Sequence, residues 1–199
     1  MPQTGLKSPR VAVLFDLDGT LIDSAPDLAG TANDMRASRG LSPLPYEDLR
    51  PHAGSGARGM LGAAFDCAPG HAGFEPMRDD FHALYERRML HHTRMFDGVA
   101  VLLDALGNCG LPWGIVTNKS LRFALPQALA LGLLPRAGVL VGGDSTPHTK
   151  PHPAPLLEAA RRLGVDPEGC VYVGDDLRDM QAARAAGMAA WAAAWGYLG

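Results

Sequence analysis

The sequence has few cysteines, few lysines and no long apolar run. Its three cysteines, Cys67, Cys109 and Cys170, lie far apart without a CxxC pair, which excludes a disulfide framework and a cysteine-rich zinc site. No apolar run approaches the length that spans a membrane, and the first ten residues lack the apolar core of a signal peptide. We therefore expect a protein of the reducing cytoplasm that has no membrane partner.

An excess of positive charge is also missing. The formal net charge is −3 at pH 7, so we expect no basic surface of the kind that binds nucleic acid. The length of 199 residues and the hydrophobic content of 47% suit one to two compact domains with a sizeable core. Nothing in the sequence specifies an oligomeric state.

The first clear apolar run ends in a pair of acids. Residues 11–15 are apolar, β-branched or aromatic, which predicts a strand buried on both faces of a parallel sheet. Asp16 follows at its carboxyl end, and Asp18 comes two residues later. One carboxylate at such an edge can attack phosphorus while the other passes a proton to the leaving oxygen. Gly19 permits a turn whose N–H groups, with the hydroxyl of Thr20, are expected to face an anion.

Three later apolar runs are also followed by polar residues. Parallel strands of a doubly wound α/β sheet end at one edge, so we expect these polar groups to be neighbours of Asp16. The chain has only three lysines among its basic residues. A lysine in this setting indicates a site that needs a compact ammonium group, as beside a phosphoryl group or an aspartate. The candidates are Thr117 and Asn118 after residues 111–116, Lys150 after residues 139–141, and Asp175 and Asp176 after residues 170–173.

Residues 24–96 contain no clear strand pattern. Apolar residues recur there at helical spacing, for example over residues 27–40, where Gly40 is a helix stop. After residue 96, apolar runs alternate with helical patterns that end near residues 110, 164 and 187. This alternation predicts a parallel sheet with right-handed crossovers, interrupted by one inserted helical unit.

Four motifs, DLDGTLIDS, VTNK, KPHP and VGDD, resemble in this order the motifs of the haloacid dehalogenase superfamily of phosphatases. The resemblance covers nearly the whole chain. It implies an α/β fold with a doubly wound parallel-sheet core of residues 1–23 and 97–199. Residues 24–96 would form a small α-helical cap domain inserted into that core.

The resemblance also implies a reaction with a metal cofactor. The protein would be a magnesium-dependent phosphomonoester hydrolase that forms an aspartyl-phosphate intermediate. Asp16 would be the nucleophile and a ligand of Mg²⁺. Asp18 would be the general acid and base and would bind Mg²⁺ through its carbonyl. Asp175 would complete the protein's ligands, although the doubled acid leaves Asp176 as an alternative.

Further residues would bind the phosphoryl group. By the same resemblance, the Thr117 hydroxyl and the Asn118 backbone N–H would donate to phosphoryl oxygens, and Lys150 would offset the negative charge of Asp16 and the phosphate. Asp179 has no assigned role. Because acids at a helix start are favoured by the helix dipole, capping and a role near the metal both stay open for Asp176 and Asp179.

The substrate is expected to be a small cytosolic phosphate ester. The segment KPHPAPLLEAARRLGV resembles phosphoglycolate phosphatases, whereas HAGSGARGMLGAAF also resembles N-acetylmuramic acid 6-phosphate phosphatases. We rank 2-phosphoglycolate first. Both esters carry a carboxylate, and Arg58 is the candidate to bind it, since arginine grips carboxylates with two parallel hydrogen bonds. An exposed helix arginine without a binding role is the alternative for Arg58. A phosphoaspartate signalling domain is the alternative of another class, but Asp18 and the large insertion speak against it.

Two segments need separate interpretation. GSGARG at residues 54–59 matches the dinucleotide-binding fingerprint, but it follows LRPHA and not an apolar strand, so we predict a cap loop or a helix start. The end of the chain, AAWAAAWGYLG, resembles the fifth core strand and its loop, although its alanines would also suit a helix. The family usually continues with another strand and helix. If the sequence is trimmed there, we expect a sheet edge and the apolar face near Trp191 and Trp195 to be uncovered.

Overall fold

The structure is a computed structural model that describes residues 11–197. Expectations for residues 1–10 and 198–199 therefore lie outside the described residues. The strands are β1 (Ala12–Phe15), β2 (Ile22–Asp23), β3 (Arg94–Met95), β4 (Trp113–Val116), β5 (Leu140–Val141), β6 (Cys170–Gly174) and β7 (Ala189–Ala192).

Helices occupy most of the chain between these strands. Four lie between β2 and β3, namely α1 (Ala25–Ser38), α2 (Tyr46–Leu49), α3 (Gly56–Phe65) and α4 (Phe74–Arg88). Four more follow, namely α5 (Val99–Asn108), α6 (Leu121–Ala130), α7 (Ala154–Leu163) and α8 (Leu177–Ala185). The predicted stops are confirmed at Gly40 and Gly164, which follow α1 and α7 with φ angles of 71° and 67°. Glycine adopts such angles without the steric cost that a Cβ atom brings.

The main sheet has five parallel strands in the order β5, β4, β1, β6, β7. The predicted parallel α/β fold is therefore confirmed. Strand β1 lies at its centre and is buried on both faces, because Leu14 packs with α7 and α8 whereas Phe15 packs with α5 and α6. Phe15 pairs with Ile115 of β4 and with Val173 of β6. These three strands therefore end at nearly the same level.

The helices between β2 and β3 bury a hydrophobic cluster of their own. Met35, Met60, Phe81 and Tyr85 are fully buried in it. The chain leaves the main sheet through β2 and returns through β3, which pair in antiparallel fashion. The two-residue β3 is a strand that the sequence pattern did not predict, because it is too short to show an alternation.

A buried acid fastens the start of α1 to the returning chain. The carboxylate of Asp27 accepts hydrogen bonds of 3.1 and 3.0 Å from the His92 N–H and of 2.8 Å from both the N–H and the hydroxyl of Thr93. A buried carboxylate is tolerated only when donors of this kind replace water. The segment that enters the helical insertion and the segment that leaves it are thereby held together.

Two local predictions agree with the structure. GSGARG spans the end of a 3-10 turn (Arg50–Ser55) and the start of α3, as expected for a helix start. Residues 189–192 form β7 and pair with β6, so the implied fifth strand is confirmed. Trp191 and Trp195 are 64% and 48% exposed, respectively. Within residues 11–197, no helix combines the length and the apolarity needed to cross a membrane.

Candidate active site

Polar residues from the carboxyl ends of β1, β4 and β6 line a single cleft of about 610 Å³. The helices of the insertion form its opposite wall. The structure therefore brings together groups that are far apart in sequence, as the topology predicted. The residues that line the cleft from the sheet side include Asp16, Asp18, Thr117, Asn118, Lys119, Lys150, Asp175, Asp176 and Asp179.

Three buried carboxylates form the centre of this cleft. Asp16, Asp175 and Asp179 each place one oxygen within 4.8 Å of the others. Burial raises the pKa of Asp16 to about 7, with Lys150 opposing the rise and the other two acids adding to it. The pKa of Asp175 is also raised, chiefly by burial. Buried acids so close together disfavour full ionisation unless cations offset them.

Lys150 supplies one such cation. Its buried ammonium lies 2.9 Å from Asp16 Oδ1 and 2.6 Å from Asp179 Oδ1, and it donates to the Tyr172 hydroxyl at 2.9 Å. Burial alone would lower the pKa of Lys150, but the two acids outweigh burial and raise it. Lys150 therefore stays protonated at neutral pH.

Asn118 fixes the backbone of Lys150. The amide nitrogen of Asn118 donates to the Lys150 carbonyl at 2.9 Å, and the N–H of Lys150 donates to the amide oxygen of Asn118, also at 2.9 Å. This reciprocal pair holds the ends of the VTNK and KPHP motifs together. The backbone N–H of Asn118 has no acceptor within residues 11–197, so it is available to an anion in the cleft.

The acid cluster fits a hard divalent cation. One lysine does not balance three carboxylates, and Asp16 Oδ1 is buried without a hydrogen-bond donor among the described residues. Its contact with Lys150 is close but lacks hydrogen-bond geometry. A donor set made of carboxylate oxygens alone suits Mg²⁺ better than a softer transition metal. Asp16 and Asp175 are thus able to hold such an ion.

The structure distinguishes between the two neighbouring acids after β6. Both oxygens of Asp176 accept hydrogen bonds from the guanidinium of Arg178 at 2.8 and 2.7 Å, and one also accepts the Arg178 N–H at the start of α8. These contacts lower the pKa of Asp176. Asp175, not Asp176, lies in the cluster with Asp16. Asp179 both caps the helix, by accepting the Asp176 N–H at 3.1 Å, and pairs with Lys150.

Gly19 and Thr20 differ from the expectation that they face an anion. The N–H of Gly19 donates to the Ile22 carbonyl at 2.9 Å, and the Thr20 hydroxyl donates to Asp175 at 3.3 Å. The Gly19 N–H is therefore used inside the turn, and the Thr20 hydroxyl supports the acid cluster instead. Gly19 is nonetheless required there: its φ is +82°, and a Cβ atom at this position would collide with the Asp175 carboxylate.

The hydroxyl of Thr117 lies at the end of β4. The residue is 3% exposed, and its Oγ1 accepts the N–H of Lys119 at 3.1 Å. The hydroxyl hydrogen is therefore free to donate into the cleft. Two backbone N–H groups beside Asp16, those of Leu17 and Asp18, also lack acceptors within residues 11–197. The sequence analysis did not identify these two backbone donors.

Asp18 is separate from the three clustered acids. Its Oδ1 accepts hydrogen bonds from the Ser24 hydroxyl and, at 2.7 Å, from the ammonium of Lys119. Lys119 is a site residue that the sequence analysis missed. The scarcity of lysine that drew attention to Lys150 applied equally to Lys119. Burial lowers the pKa of Lys119, but Asp18 and the Tyr85 hydroxyl outweigh it, so the pKa is raised.

The opposite wall combines arginine with aromatic rings. Arg58 is exposed at the cleft and has no ion-pair partner among residues 11–197. Arg78 also lines the cleft but is paired with Glu75 and Asp79. Burial and nearby arginines lower the pKa of His82, which favours its neutral form. The aromatic lining residues on this side are Phe74, Phe81 and Tyr85, and Phe123 of α6 packs with them and also lines the cleft.

Comparison with known proteins agrees with this geometry. The sequence model of a family described as haloacid dehalogenase-like hydrolase matches residues 11–187. A phosphoglycolate phosphatase of Xylella fastidiosa is 50% identical over 189 residues, which cover 95% of this chain and 82% of that protein. An N-acetylmuramic acid 6-phosphate phosphatase of Pseudomonas aeruginosa is 43% identical over 187 residues, which cover 94% and 83%.

A solved structure gives the same result. The crystal structure of a predicted phosphoglycolate phosphatase from Haemophilus somnus matches with a TM-score of 0.83 and 30% sequence identity. The match covers 97% of this chain and 88% of that chain. Both the sequence and the fold therefore lead to one assignment. The chain belongs to the haloacid dehalogenase-like hydrolases.

Proposed function

We propose that this phosphatase of the haloacid dehalogenase-like family is a Mg²⁺-dependent enzyme that hydrolyses a small phosphate monoester through an aspartyl phosphate on Asp16. One observation carries the proposal. Asp16 lies at the end of the central strand, in a cluster of buried acids whose negative charge Lys150 balances only in part, and it has one oxygen without a hydrogen-bond donor among the described residues. Such a site favours both a divalent cation and a phosphoryl group.

The first step transfers the phosphoryl group to Asp16. A carboxylate oxygen of Asp16 attacks phosphorus, and the bond between phosphorus and the leaving oxygen breaks. Asp18, in its protonated form, gives its proton to that oxygen, so an alcohol leaves. Bound Mg²⁺ would supply positive charge that reduces repulsion between the phosphate and the acids. Asp16 and Asp175 would hold it with their side chains, and Asp18 with its carbonyl.

The second step returns the enzyme to its starting state. Asp18, now a carboxylate, takes a proton from a water molecule, whose oxygen attacks phosphorus. The bond between phosphorus and the Asp16 oxygen breaks, and inorganic phosphate leaves. Lys150 offsets the charge on Asp16 in both steps. Thr117 and the backbone N–H of Asn118 donate to the phosphoryl oxygens, which gain negative charge in each transition state.

Binding of Mg²⁺ should stabilise the fold measurably. We expect MgCl₂ at about a hundred times its Kd to add about 2 to 3 kcal/mol to the free energy of unfolding. The Asp175→Asn variant should lose most of this gain. Asp176→Asn is the matched control and should keep it, because Asp176 faces Arg178. Thermal or urea unfolding with and without MgCl₂ measures the difference. If the two variants respond to MgCl₂ alike, Asp175 is not a ligand.

The same stabilisation should depend on pH. Burial raises the pKa of Asp16 to about 7 in the metal-free protein, so a proton competes with the cation below that pH. We therefore expect the gain from MgCl₂ to shrink as the pH falls from about 7 to about 5.

The helical segment, residues 24–96, is proposed to act as a cap domain on a core of residues 1–23 and 97–199. It carries Arg58 and the aromatic wall of the cleft. A wall of this kind determines which leaving group fits, whereas the strand ends act on the phosphoryl group. Substrate choice should therefore depend on the cap.

We propose 2-phosphoglycolate as the first candidate substrate, with N-acetylmuramic acid 6-phosphate as the second. Four relatives named phosphoglycolate phosphatase are 48% to 50% identical to this chain, whereas two relatives named for the second ester are 43% and 42% identical. The second is favoured by the cleft, whose volume of about 610 Å³ and aromatic wall exceed what a two-carbon ester needs. We further propose that the protein acts in the cytoplasm on a small phosphate ester and has no nucleic acid or membrane partner.

Arg58 provides a test of the substrate class. If Arg58 binds a substrate carboxylate, Arg58→Ala should lower kcat/KM for both esters by about 10- to 100-fold, because a charge-assisted hydrogen bond is lost. p-Nitrophenyl phosphate carries no carboxylate and should be hydrolysed almost unchanged. Arg87→Ala is the control, since Arg87 is an exposed arginine of the same helical segment that does not line the cleft.

The possible outcomes separate the proposals. An equal loss for all three esters would show that Arg58 does not recognise the carboxylate. Failure of the wild-type protein to hydrolyse any ester with Mg²⁺ would contradict the proposed activity. A long-lived phosphoprotein without repeated turnover would favour the signalling alternative instead. The ratio of kcat/KM for the two carboxylate esters ranks the two candidate substrates.

A further inference from the structure

Lys119 occupies an unusual position between the sheet and the helical insertion. Its side chain is 10% exposed, and its ammonium donates to Asp18 at 2.7 Å and to the Tyr85 hydroxyl at 2.9 Å. The ammonium also lies 5.1 Å from the centre of the Tyr85 ring. A lysine side chain is long and flexible, so two hydrogen bonds at its ammonium restrict it to one arrangement.

Tyr85 is itself held in place. It is 2% exposed in the core of the insertion. The side-chain amide of Gln127, a fully buried residue of α6, donates to the Tyr85 hydroxyl at 3.1 Å and to the Met89 carbonyl at 2.8 Å. The hydroxyl thus accepts from two donors in a buried setting. These hydrogen bonds restrict the position of the hydroxyl, while the side-chain oxygen of Gln127 is buried without a donor among residues 11–197.

Asp18 is therefore held from two directions. Lys119 approaches its Oδ1 from the end of β4, and the Ser24 hydroxyl donates to the same oxygen from the chain that enters the insertion. The second oxygen of Asp18 receives no hydrogen bond from the described residues, and Asp18 lines the cleft. One oxygen is used to orient the carboxylate, and the other is available for proton transfer.

We propose that Lys119, held in place by Tyr85 and Gln127, is a positioning residue that orients the Asp18 carboxylate. The orientation matters when Asp18 acts as the general base and removes a proton from water during hydrolysis of the aspartyl phosphate. This inference rests on the proposed function. Lys119 acts through Asp18 and needs no contact with the substrate. Because general bases work only within hydrogen-bond reach of the proton they remove, a loosened carboxylate slows the step.

The choice of leaving group separates the two chemical steps. p-Nitrophenolate leaves without a proton, so formation of the aspartyl phosphate from p-nitrophenyl phosphate does not need Asp18 as an acid. Hydrolysis of the intermediate still needs Asp18 as a base. Loss of its positioning should therefore slow only the second step for this substrate. When the second step limits turnover, kcat and KM fall together, and kcat/KM stays unchanged.

The experiment compares Lys119→Met with the wild-type protein in saturating MgCl₂. We expect kcat for p-nitrophenyl phosphate to fall about 100-fold, KM to fall in parallel and kcat/KM to stay within about twofold. Rapid mixing should show a fast release of about one p-nitrophenol per site, followed by slow turnover. With an alkyl phosphate such as 2-phosphoglycolate, kcat/KM should fall as well, because that leaving group needs a proton from Asp18.

Two further variants complete the design. Tyr85→Phe keeps Lys119 and the aromatic ring but removes the hydroxyl, so it should show the same pattern with a fall in kcat of about 10-fold. Arg122→Ala is the control. Arg122 pairs with Glu86 between α6 and α4 but touches neither Asp18 nor Lys119, so its kinetics should match the wild type. If near-UV circular dichroism shows that Lys119→Met does not fold, the kinetics of Tyr85→Phe test whether Lys119 positions Asp18.

The results distinguish this inference from the proposed function. A parallel loss of kcat and kcat/KM for p-nitrophenyl phosphate would overturn the inference, since Lys119 would then act on the first step or on substrate binding. Unchanged kinetics in both variants would also overturn it. Neither result affects the proposed function, which is tested separately by turnover of phosphate esters by the wild-type protein with Mg²⁺ and by the Asp16→Asn variant.

Discussion

Replacing Asp16 with asparagine lowers kcat by about 10⁴-fold or more for every phosphate ester, if Asp16 is the nucleophile. Asparagine matches aspartate in shape, so the turn after β1 should be kept, but its amide does not attack phosphorus at a useful rate. The measurement is release of inorganic phosphate with MgCl₂ present. Mass spectrometry of acid-quenched wild-type protein should also detect one added phosphoryl group, and the variant should lack it.

A matched control is available for this variant. Asp104 is an exposed acid of α5 that pairs with Arg136 away from the cleft. Asp104→Asn removes the same charge and should leave kcat unchanged. If Asp16→Asn turns over at the wild-type rate in purified protein, covalent catalysis by Asp16 is ruled out. If the phosphoryl group is found on another residue, the nucleophile has been misassigned.

Replacing Lys150 with methionine has the largest expected effect on stability. Lys150 is the ammonium shared by Asp16 and Asp179, and its loss leaves buried acids without their partner. Removing one member of a buried ion pair costs about 3 to 5 kcal/mol. We expect a loss of this size in the free energy of unfolding at pH 7, together with loss of activity. Urea unfolding measures it, and Arg136→Met, which breaks an exposed ion pair, should cost less than about 1 kcal/mol.

The loss in Lys150→Met should depend on pH in a defined direction. The pKa of Asp16 is already raised to about 7, and Lys150 opposes that rise, so the pKa in the variant is higher still. A folded-state pKa above the unfolded value means that the folded protein binds protons more tightly. The contribution of Asp16 to the variant's stability is therefore fully present below about pH 4 and is lost as the pH rises towards the folded-state pKa, which in the variant lies above 7.

The variant should consequently be closest to the wild type at low pH. Saturating MgCl₂ should also recover part of the loss, because the cation replaces some of the missing positive charge. A loss that is equal at pH 5 and pH 8 and does not respond to MgCl₂ would show that packing, and not charge, explains it. A loss below about 1 kcal/mol at every pH would contradict the buried ion pair.

The main sheet and the position of the site could be predicted from local sequence. Strands that are buried on both faces have continuous apolar runs, and β1, β4 and β6 lie within three such runs. The residue after each run lies at the carboxyl edge because the strands are parallel. Topology alone placed Asp16, Thr117 and Asp175 at this edge, whereas the roles expected of them came from the resemblance to the family's motifs.

The contacts of Lys119 could not be predicted in the same way. Lys119 and Asp18 are 101 residues apart, and Lys119 and Tyr85 are 34 apart. Tyr85 occupies an ordinary helical core position, so no local pattern distinguishes it. Such contacts depend on how the insertion packs against the sheet, which periodicity does not specify.

The turn after β1 illustrates a second limit. DLDGT predicts donors at Gly19 and Thr20, but a sequence does not show which acceptor a donor reaches. In the structure the Gly19 N–H bonds to Ile22 and the Thr20 hydroxyl to Asp175. Likewise, the sequence does not show which of Asp175 and Asp176 lies near Asp16. In the structure Asp176 pairs with Arg178 at the start of α8, and Asp175 lies in the acid cluster.

A crystal structure of the protein with MgCl₂ and a phosphoryl mimic such as beryllium fluoride would show directly whether Asp16 is the nucleophile beside a Mg²⁺ ion. We expect the mimic to be bonded to a carboxylate oxygen of Asp16, with Mg²⁺ on Asp16, Asp175 and the Asp18 carbonyl. The Lys150 ammonium should lie close to the mimic. A mimic bound away from Asp16, or an ion held by other side chains, would contradict this expectation.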